Sequence, residues 1–356
     1  MKYALAGGGT GGHAYPSITV GEALRARGGD LVYYGSERGP ERGLAEAAGI
    51  PYRAIPSSQV RGGPKRMITG GLNLLRGRQT AVTRMRDDRP ASLFATGGYA
   101  AAPVGWAAPG AHVPLLVFLP DVHPGWSVRF LNHYATRVAC SVDASMASLP
   151  RAKTIVTGYP VRRQFSEATR ADGIARFGLD AGLPTVLVTG GSLGARRING
   201  AVAAALPRLL ERAQVLHISG REDASWLTDE RERLPEGQRG RYHLLPYTDE
   251  MAWAMAAADL AVTRAGASTL GELPVARLPA IVIPGGFSDQ HVNARYLADR
   301  GAAVVVGDDA LERIEPEVLR LIADEDTRRR MAEAMRGLAR PDAAARLATL
   351  MEEIAA

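Results

Sequence analysis

Short apolar runs recur along the chain, each closed by glycine or polar residues and followed by a stretch with helical spacing. In the first half these strand candidates begin near Lys2, Asp30, Ser92, Val113 and Ala135. Strands alternating with helices at this spacing predict a parallel sheet covered on both faces. The pattern restarts in the second half. Pro184 to Thr189 is again an apolar strand, and Gly190-Gly191-Ser192-Leu193-Gly194-Ala195 is a glycine turn. Ile198, Val202, Ala205 and Leu206 then form a helical stripe. Further strands are expected at Leu260–Thr263 and Ala280–Pro284, and Leu311–Ala356 reads as helical and charged. The glycine turns after Gly7 and Gly190 lie about half a chain apart, which predicts two similar α/β domains. The boundary is placed between residues 160 and 161, in the stretch Gly158-Tyr159-Pro160-Val161-Arg162-Arg163.

The 356 residues suffice for two domains with cores of their own. With 46% hydrophobic and 22% charged residues, the composition is that of an ordered globular chain. Cys140 is the single cysteine, which excludes an internal disulfide and a cysteine metal cluster and fits a reducing cytoplasm. The N-terminus enters a strand directly, so no signal peptide is expected. No run of about 18 apolar residues suggests a spanning helix. The net charge is +6, carried almost wholly by arginine, with lysine only at Lys2, Lys65 and Lys153. Arginine grips phosphate in a two-pronged fork, and a basic balance admits phosphorylated substrates or an anionic membrane. No nucleic-acid motif is present, and aromatic residues are only 6%.

The densest chemistry is at the start. The strand Lys2–Ala6 runs into Gly7-Gly8-Gly9-Thr10-Gly11-Gly12-His13 and then a helical pattern from Ile18. Strand, glycine turn and helix place backbone N–H groups and a helix dipole against an anion. Gly7-x-Gly9-x-x-Gly12 matches the dinucleotide fingerprint, with Glu37 after the second strand as its ribose-binding acid. An ATP-type phosphate loop is excluded, because His13 stands where its lysine must be. A sugar-nucleotide enzyme displaying His13 at the lip of the loop is the third reading.

Gly97-Gly98-Tyr99 is a second glycine turn at a strand end in the same half, and would face the same crevice. Between residues 59 and 89, Arg61, Lys65, Arg66, Arg76, Arg78, Arg84, Arg86 and Arg89 interleave with Met67, Ile68, Leu72, Leu74 and Leu75. This is either a solvated surface helix or a patch for an anionic membrane. Small residues opening a helix at Gly266-Ala267-Ser268-Thr269, with Glu272 one turn in, suit a diphosphate at the helix end and a ribose held by a carboxylate. Asp324-Glu325-Asp326 has the look of a metal-binding triplet, but sits among helix-forming charges and reads as a solvated face.

Together, the Gly8–His13 loop, Gly97-Gly98-Tyr99, Gly158–Arg162, Gly190–Ala195 and the block from Arg264 to Ala303 resemble the MurG family, glycosyltransferase family 28. The resemblance implies a GT-B fold: two Rossmann-like domains with parallel sheets facing across a cleft. Residues 1–160 would bind the acceptor and face the membrane, with a C-terminal helix at about 340–356 packing back on them. Residues 161–339 would bind the donor. It also implies an inverting, metal-independent transfer of GlcNAc from UDP-GlcNAc to the C4 hydroxyl of the MurNAc of lipid I, a lipid-linked muramoylpentapeptide. The product is lipid II, for peptidoglycan synthesis, cell wall biogenesis, cell shape and division. No cofactor and no metal are implied, and the enzyme would sit peripherally on the cytoplasmic face of the cell membrane.

By position, the resemblance puts the uracil at Thr248, the ribose at Glu272, and the diphosphate at Ser192, Gly194, Gly266, Ala267, Ser268 and Thr269. Gln290, with Asp289 or His291, would touch the sugar. Arg162 is the cleft arginine, and Thr10, Gly11 and Gly12 complete the donor side. Gly97, Gly98, Tyr99 and His123 would meet the acceptor. A base must take the proton of the attacking hydroxyl, and His13 is the candidate, since a histidine after five glycines is poorly placed for core packing.

The chain departs from the family where a His-Glu-Gln-Asn run is usual: Phe118-Leu119-Pro120-Asp121 stands there instead. The glutamate is absent, and Asp121 is expected to hydrogen-bond His13 and raise its basicity. Tyr159 replaces a usual asparagine, and Pro274 is expected to kink or weaken the helix after Glu272. Three alternatives stay open: a GT-B transferase for another lipid or small-molecule acceptor, an NAD(P)-dependent oxidoreductase, and a non-catalytic sugar-nucleotide binder.

Overall fold

The computed structural model describes residues 1–8, 11–58, 64–191, 195–286 and 289–356. They form two compact units, Met1–Val161 with Arg340–Ala356, and Arg162–Ala339.

The first unit is built on β1 (Lys2–Ala6), β2 (Asp30–Ser36), β3 (Tyr52–Ile55), β4 (Ser92–Ala95), β5 (Leu115–Leu119), β6 (Arg137–Cys140) and β7 (Thr154–Val156). These pair in the order β3-β2-β1-β4-β5-β6-β7, every pair parallel. Its helices are α1 (Gly11–Ala26), α2 (Glu41–Ala47), α3 (Pro64–Asp88), α4 (Gly98–Ala107) and α5 (Trp126–Leu131).

The second unit pairs β10-β9-β8-β11-β12-β13, again all parallel. Its strands are β8 (Thr185–Thr189), β9 (Gln214–Ile218), β10 (Tyr242–Leu245), β11 (Leu260–Arg264), β12 (Ala280–Ile283) and β13 (Ala303–Val305). The helices around this sheet are α6 (Gln164–Glu167), α7 (Arg170–Phe177), α8 (Arg196–Leu209), α9 (Ala224–Arg233), α10 (Glu236–Arg239), α11 (Met251–Ala257), α12 (Thr269–Ala276), α13 (Gln290–Ala298), α14 (Ile314–Ala323) and α15 (Glu325–Leu338). The chain then returns to the first unit as α16 (Ala343–Glu353).

Helices on both faces bury the central strands completely, which is why they read as unbroken apolar runs. Ala4, Leu5, Ala6, Leu93, Phe94 and Ala95 have no solvent exposure, nor do Val186, Leu187, Val188 and Ile281 in the other sheet. Each full burial of a large apolar side chain is worth about 1.5–3 kcal/mol. The strands expected near Val113 and Ala135 begin at Leu115 and Arg137, past Pro114 and Thr136. The edge strands β3, β7, β10 and β13 are short and only partly buried; β3, β7 and β10 are mixed with polar residues, whereas β13 lies in the apolar run Ala302–Val306. Strand β9 is interior yet polar in part. Its buried Gln214 donates to the Asp180 carbonyl at 2.7 Å and the Thr185 hydroxyl at 2.9 Å.

Helix α16 docks on α1, where Arg27 bonds Glu352 at 2.7 Å, Thr349 at 3.0 Å and the Ala345 carbonyl at 2.9 Å. The Ser92 hydroxyl donates to the Met351 carbonyl at 2.8 Å, and Leu347, Ala348 and Met351 are fully buried. Helix α12 runs through Pro274 for two residues and stops at Arg277, which is left-handed at φ 53°. The proline therefore sits in the last turn of the helix rather than kinking its middle.

In each sheet the strand order reverses once. In the first, β1 lies between β2 and β4; in the second, β8 lies between β9 and β11. Ligands of open α/β sheets bind beyond the carboxyl ends of strands at such switch points, and the glycine turns follow those strands.

Candidate functional site

In the first unit the two glycine turns touch. Gly97 and Gly98 have φ of 88° and 77°, and any Cβ on Gly98 would overlap the Gly8 carbonyl oxygen. The Ser127 hydroxyl of α5 holds the Gly98 carbonyl at 2.9 Å. His13 lies in the first turn of α1, half-buried, and Thr96 ties it twice. The Thr96 hydroxyl donates to the His13 carbonyl at 2.6 Å, and His13 Nδ1 lies 2.9 Å from the Thr96 carbonyl oxygen. A carbonyl only accepts, so Nδ1 carries the hydrogen and the lone pair is on Nε2. The partner that orients Nδ1 is thus the Thr96 backbone carbonyl, whereas a bond from His13 to Asp121 was expected. Thr96 itself is fixed by β1, its N–H reaching the Ala6 carbonyl at 3.0 Å.

Around this centre, Asp121 is half-buried just past β5, and its carbonyl accepts from the Ser145 hydroxyl at 3.3 Å. His123 Nδ1 is 3.2 Å from the Ser148 hydroxyl. Tyr99 is half-buried in the first turn of α4. Two of the departures from the family pattern meet: Phe118 is fully buried, with ring centroids 5.9 Å from Phe94 and 6.3 Å from Tyr159. Pro16 cannot supply the amide that would bond the Gly12 carbonyl within α1, and the Tyr159 hydroxyl lies 3.5 Å from that oxygen. Glu37, the ribose acid of the dinucleotide reading, is exposed, whereas Glu41 is buried completely.

In the second unit, Arg162, Ser268 and Glu272 come together. Burial raises the Glu272 carboxyl above the usual glutamate range, while the Arg162 charge and a hydrogen bond from the Ser268 hydroxyl pull it back. Arg162 also reaches the Asp249 carbonyl at 3.4 Å, and the Thr248 hydroxyl accepts from the Glu250 N–H at 3.0 Å. The turn before α12 is tightened by Thr269, whose hydroxyl donates to the Gly266 carbonyl at 2.5 Å. Ala267 and Ser268 are half-buried there, and a Cβ on Gly266 would meet nothing within 4 Å. Gln290 opens α13 after Asp289, and its carbonyl oxygen accepts from the Gly285 N–H at 2.7 Å. That bond orients the amide, leaving its NH2 as the end not engaged with Gly285. His291 is exposed. Helix α1 begins at Gly11, while Thr10, Ser192, Gly194 and residues 59–63 lie outside the described residues.

Several residues that complete these sites were not singled out from sequence. Asn293 donates to the Ala265 carbonyl at 3.1 Å, and Arg264 packs on Gly285 while pairing with Asp308 at 3.2 Å. Behind α8, buried His217 is pushed down to about 3 by desolvation and is neutral. It bridges the Tyr242 hydroxyl (2.9 Å) and Asn199 (3.0 Å); Asn199 in turn bonds Asp223 at 2.8 Å, and Asp223 holds Arg196 at 3.2 Å. The Asp324–Asp326 triplet is a helix start: the Asp324 carboxylate accepts from the Thr327 N–H at 2.9 Å and its hydroxyl at 2.6 Å. Glu325 and Asp326 pair with Arg329. Among the described residues no group of three or more His, Cys, Asp or Glu is placed to hold a metal ion.

Residues 3–140 match the glycosyltransferase family 28 N-terminal domain, and residues 185–347 match the family 28 C-terminal domain. Among relatives of full length, a protein of Roseiflexus sp. (strain RS-1) is 41% identical, covering 98% of this chain and 94% of its own. One from Acidothermus cellulolyticus is 39% identical over 100% and 98%, and one from Bacillus subtilis (strain 168) 31% identical over 99% and 99%. Each is named UDP-N-acetylglucosamine–N-acetylmuramyl-(pentapeptide) pyrophosphoryl-undecaprenol N-acetylglucosamine transferase.

The chain belongs to the MurG family.

The solved structure of Acinetobacter baumannii MurG has the same fold, with a TM-score of 0.78 at 24% identity over 99% of both chains. A Staphylococcus aureus MnaA structure with UDP shares it at a TM-score of 0.70 and 13% identity, covering 98% of this chain and 95% of its own. The α/β class, the parallel sheets and the GT-B architecture expected from sequence are thereby borne out. Membership of the MurG family also sets aside the oxidoreductase reading of Gly7-x-Gly9-x-x-Gly12, in line with the exposed Glu37.

Proposed function

We propose that this chain transfers GlcNAc from UDP-GlcNAc to the C4 hydroxyl of the MurNAc of lipid I, making lipid II for peptidoglycan synthesis, and is thus a hexosyltransferase. The observation that carries the reading is His13: it sits at a switch point with Nδ1 on a backbone carbonyl and its basic lone pair on Nε2. The acceptor oxygen attacks the anomeric carbon from the face opposite UDP, and the configuration inverts. As the new C–O bond forms, Nε2 takes the hydroxyl proton and the bond from the anomeric carbon to the UDP oxygen breaks. A base so placed is worth about 10²–10⁴-fold.

The leaving UDP gathers negative charge. In this reading it is met by Arg162 and by the N–H groups opening α12 at Gly266–Thr269, whose helix dipole favours an anion. Thr248 meets the uracil, Glu272 the ribose hydroxyls, and Gln290 with Asp289 the sugar. Gly97, Gly98, Tyr99 and His123 lie on the acceptor side.

The lipid-linked acceptor places the enzyme at a membrane. Among the described residues no helix is long and apolar enough to cross one. Helix α3 instead exposes Leu72 and Leu75, 49% and 51% accessible, beside exposed Arg76, with exposed Arg86 on the same side further along. That face lies on the anionic cytoplasmic leaflet, leucines inserted and arginines on the headgroups. The test is UDP release from UDP-GlcNAc with and without a lipid I analogue, in EDTA. Release that requires the analogue supports the reading. Donor binding without release sinks it and points to another acceptor.

A further inference from the structure

Glu41 is the one carboxyl group among the described residues with no solvent exposure, and the chemistry above does not use it. It opens the short helix α2 and folds inward, where its Oε1 accepts from the Ser36 N–H at 2.9 Å and the Ser36 hydroxyl at 2.5 Å. Burying a carboxyl group is costly unless donors surround it, so its place demands a reason. Three glycines are shaped around it. A Cβ on Gly8 would lie 2.5 Å from the Glu41 carboxyl carbon, one on Gly35 would lie 2.9 Å from Cγ, and one on Gly39 would overlap the carboxyl oxygens. Glu41 therefore presses directly on the backbone of the first glycine loop. Gly8 in turn rests its carbonyl against Gly98, and the preceding Gly7 packs on Thr96, the His13 carbonyl and Ser17. The Tyr33 hydroxyl, buried beside Glu41, donates to the Gly7 carbonyl at 2.7 Å. A carboxyl at the end of β2 that reached the ligand would have to be exposed, as Glu37 is; Glu41 is sealed beneath the loop.

We propose that Glu41 is a positioning residue for the transfer: its carboxyl group, held under Gly8 by the Ser36 N–H and hydroxyl, fixes the place of Gly7 and Gly8 and so that of His13 relative to the Gly97–Tyr99 turn. The proposal rests on the reading of His13 as the base. It is tested on the full chain with UDP release in the presence of the lipid I analogue. Glu41→Gln keeps the shape and weakens the acceptor. It is expected to lower kcat at least tenfold while KM and Kd for UDP-GlcNAc stay within twofold. In a His13→Ala background the same change should cost less than twofold more, because residues acting as one unit do not add.

Retention of more than half of kcat in Glu41→Gln overturns the proposal. So does an equal loss in the His13→Ala background, or a parallel loss of donor affinity, which marks a general loss of folded protein. Should Glu41→Gln not fold, Ser36→Ala removes one donor only. A three- to tenfold fall in kcat that vanishes in the His13→Ala background supports the proposal, and unchanged kcat overturns it. A wild-type chain without analogue-dependent release, or a fully active His13→Ala, overturns the parent reading and this one with it.

Discussion

The two units carry the same strand, glycine turn and helix, yet their glycines answer to different neighbours. In the first unit the space a side chain would take is filled by protein: Glu41 at Gly8, Thr96 and Ser17 at Gly7, and the Gly8 carbonyl at Gly98. In the second unit, Gly191, Gly266 and Gly286 would meet nothing within 4 Å. A glycine is chosen where Cβ does not fit or where φ is positive, but what occupies the vacated volume decides its meaning. The first turn is a packed device that presents one side chain, His13. The second leaves open the space beside the start of α12 and the Arg162–Glu272 pair, which the proposed function gives to a nucleoside diphosphate.

Removing His13 should produce the largest effect. His13→Ala is expected to lower kcat by about 10²–10⁴-fold while leaving the Kd for UDP-GlcNAc unchanged, because the residues proposed to hold its UDP lie in the second unit. Stopped-assay UDP release and calorimetric donor binding measure the two separately. A variant that loses donor affinity with its turnover breaks the division of labour.

The glycines themselves give the sharpest contrast. Gly98→Ala meets a left-handed φ and the Gly8 carbonyl at once, and should cost about 2–4 kcal/mol of stability, seen as a lowered melting midpoint and lost turnover. Gly266→Ala faces open space and should melt with the wild type. If the proposed donor site is right, its methyl group meets the ligand alone, and UDP-GlcNAc should bind about tenfold more weakly, ~1.4 kcal/mol. Equal melting of both variants would erase the distinction between packed and open turns.

Much of this was legible in the chain. The runs that became β1, β4, β5, β8, β11 and β12 announced two parallel sheets, because strands buried on both faces must be apolar throughout. The edge strands were hidden by their brevity and half-burial, and β9 by Gln214 and His217, whose buried polarity makes sense only once Thr185, Asn199 and Tyr242 are in place. At the candidate site, His13 and both glycine turns stood out as local motifs. Thr96 did not, because its bond to His13 spans 83 residues. Glu41 did not either, since nothing local distinguishes a carboxyl that turns inward from Glu37, four residues earlier, which turns out. Local spacing reports which residue types are available, whereas orientation is settled by the sheet order that brings β1, β2 and β4 side by side.

The carboxylate beside the open turn tests the same comparison more gently. Burial raises the Glu272 carboxyl, with Arg162 and Ser268 opposing. A folded-state value above the unfolded one means the fold binds the proton more tightly. Its stabilising contribution is therefore full below the ordinary glutamate range and is lost as pH rises through the raised value. Glu272→Gln removes that loss, so the variant should gain in melting midpoint over the wild type, the gain widening as pH rises above the ordinary glutamate range. It should also bind UDP-GlcNAc about ten- to hundredfold more weakly, since a hydrogen bond to a charged group is worth about 1.5–3 kcal/mol. A site kept for ligand at the expense of stability predicts both changes together, and a variant that loses stability instead would make Glu272 an ordinary structural residue.

The smallest effect belongs to the triplet Asp324–Asp326, where a motif again takes its meaning from its neighbours. Asp324 has its carboxylate on the Thr327 N–H and hydroxyl, and those bonds hold it below the usual aspartate range. The two residues after it form the acidic first turn of α15, where negative charge suits the helix dipole. Asp324→Ala should therefore lower the melting midpoint by only a few degrees, as the loss of a helix cap does. UDP release should be unchanged, and equal in EDTA and in magnesium. Metal-dependent release abolished by this substitution would overturn the reading of the triplet as a cap and, with it, the assignment of leaving-group stabilisation to the open turn at Gly266.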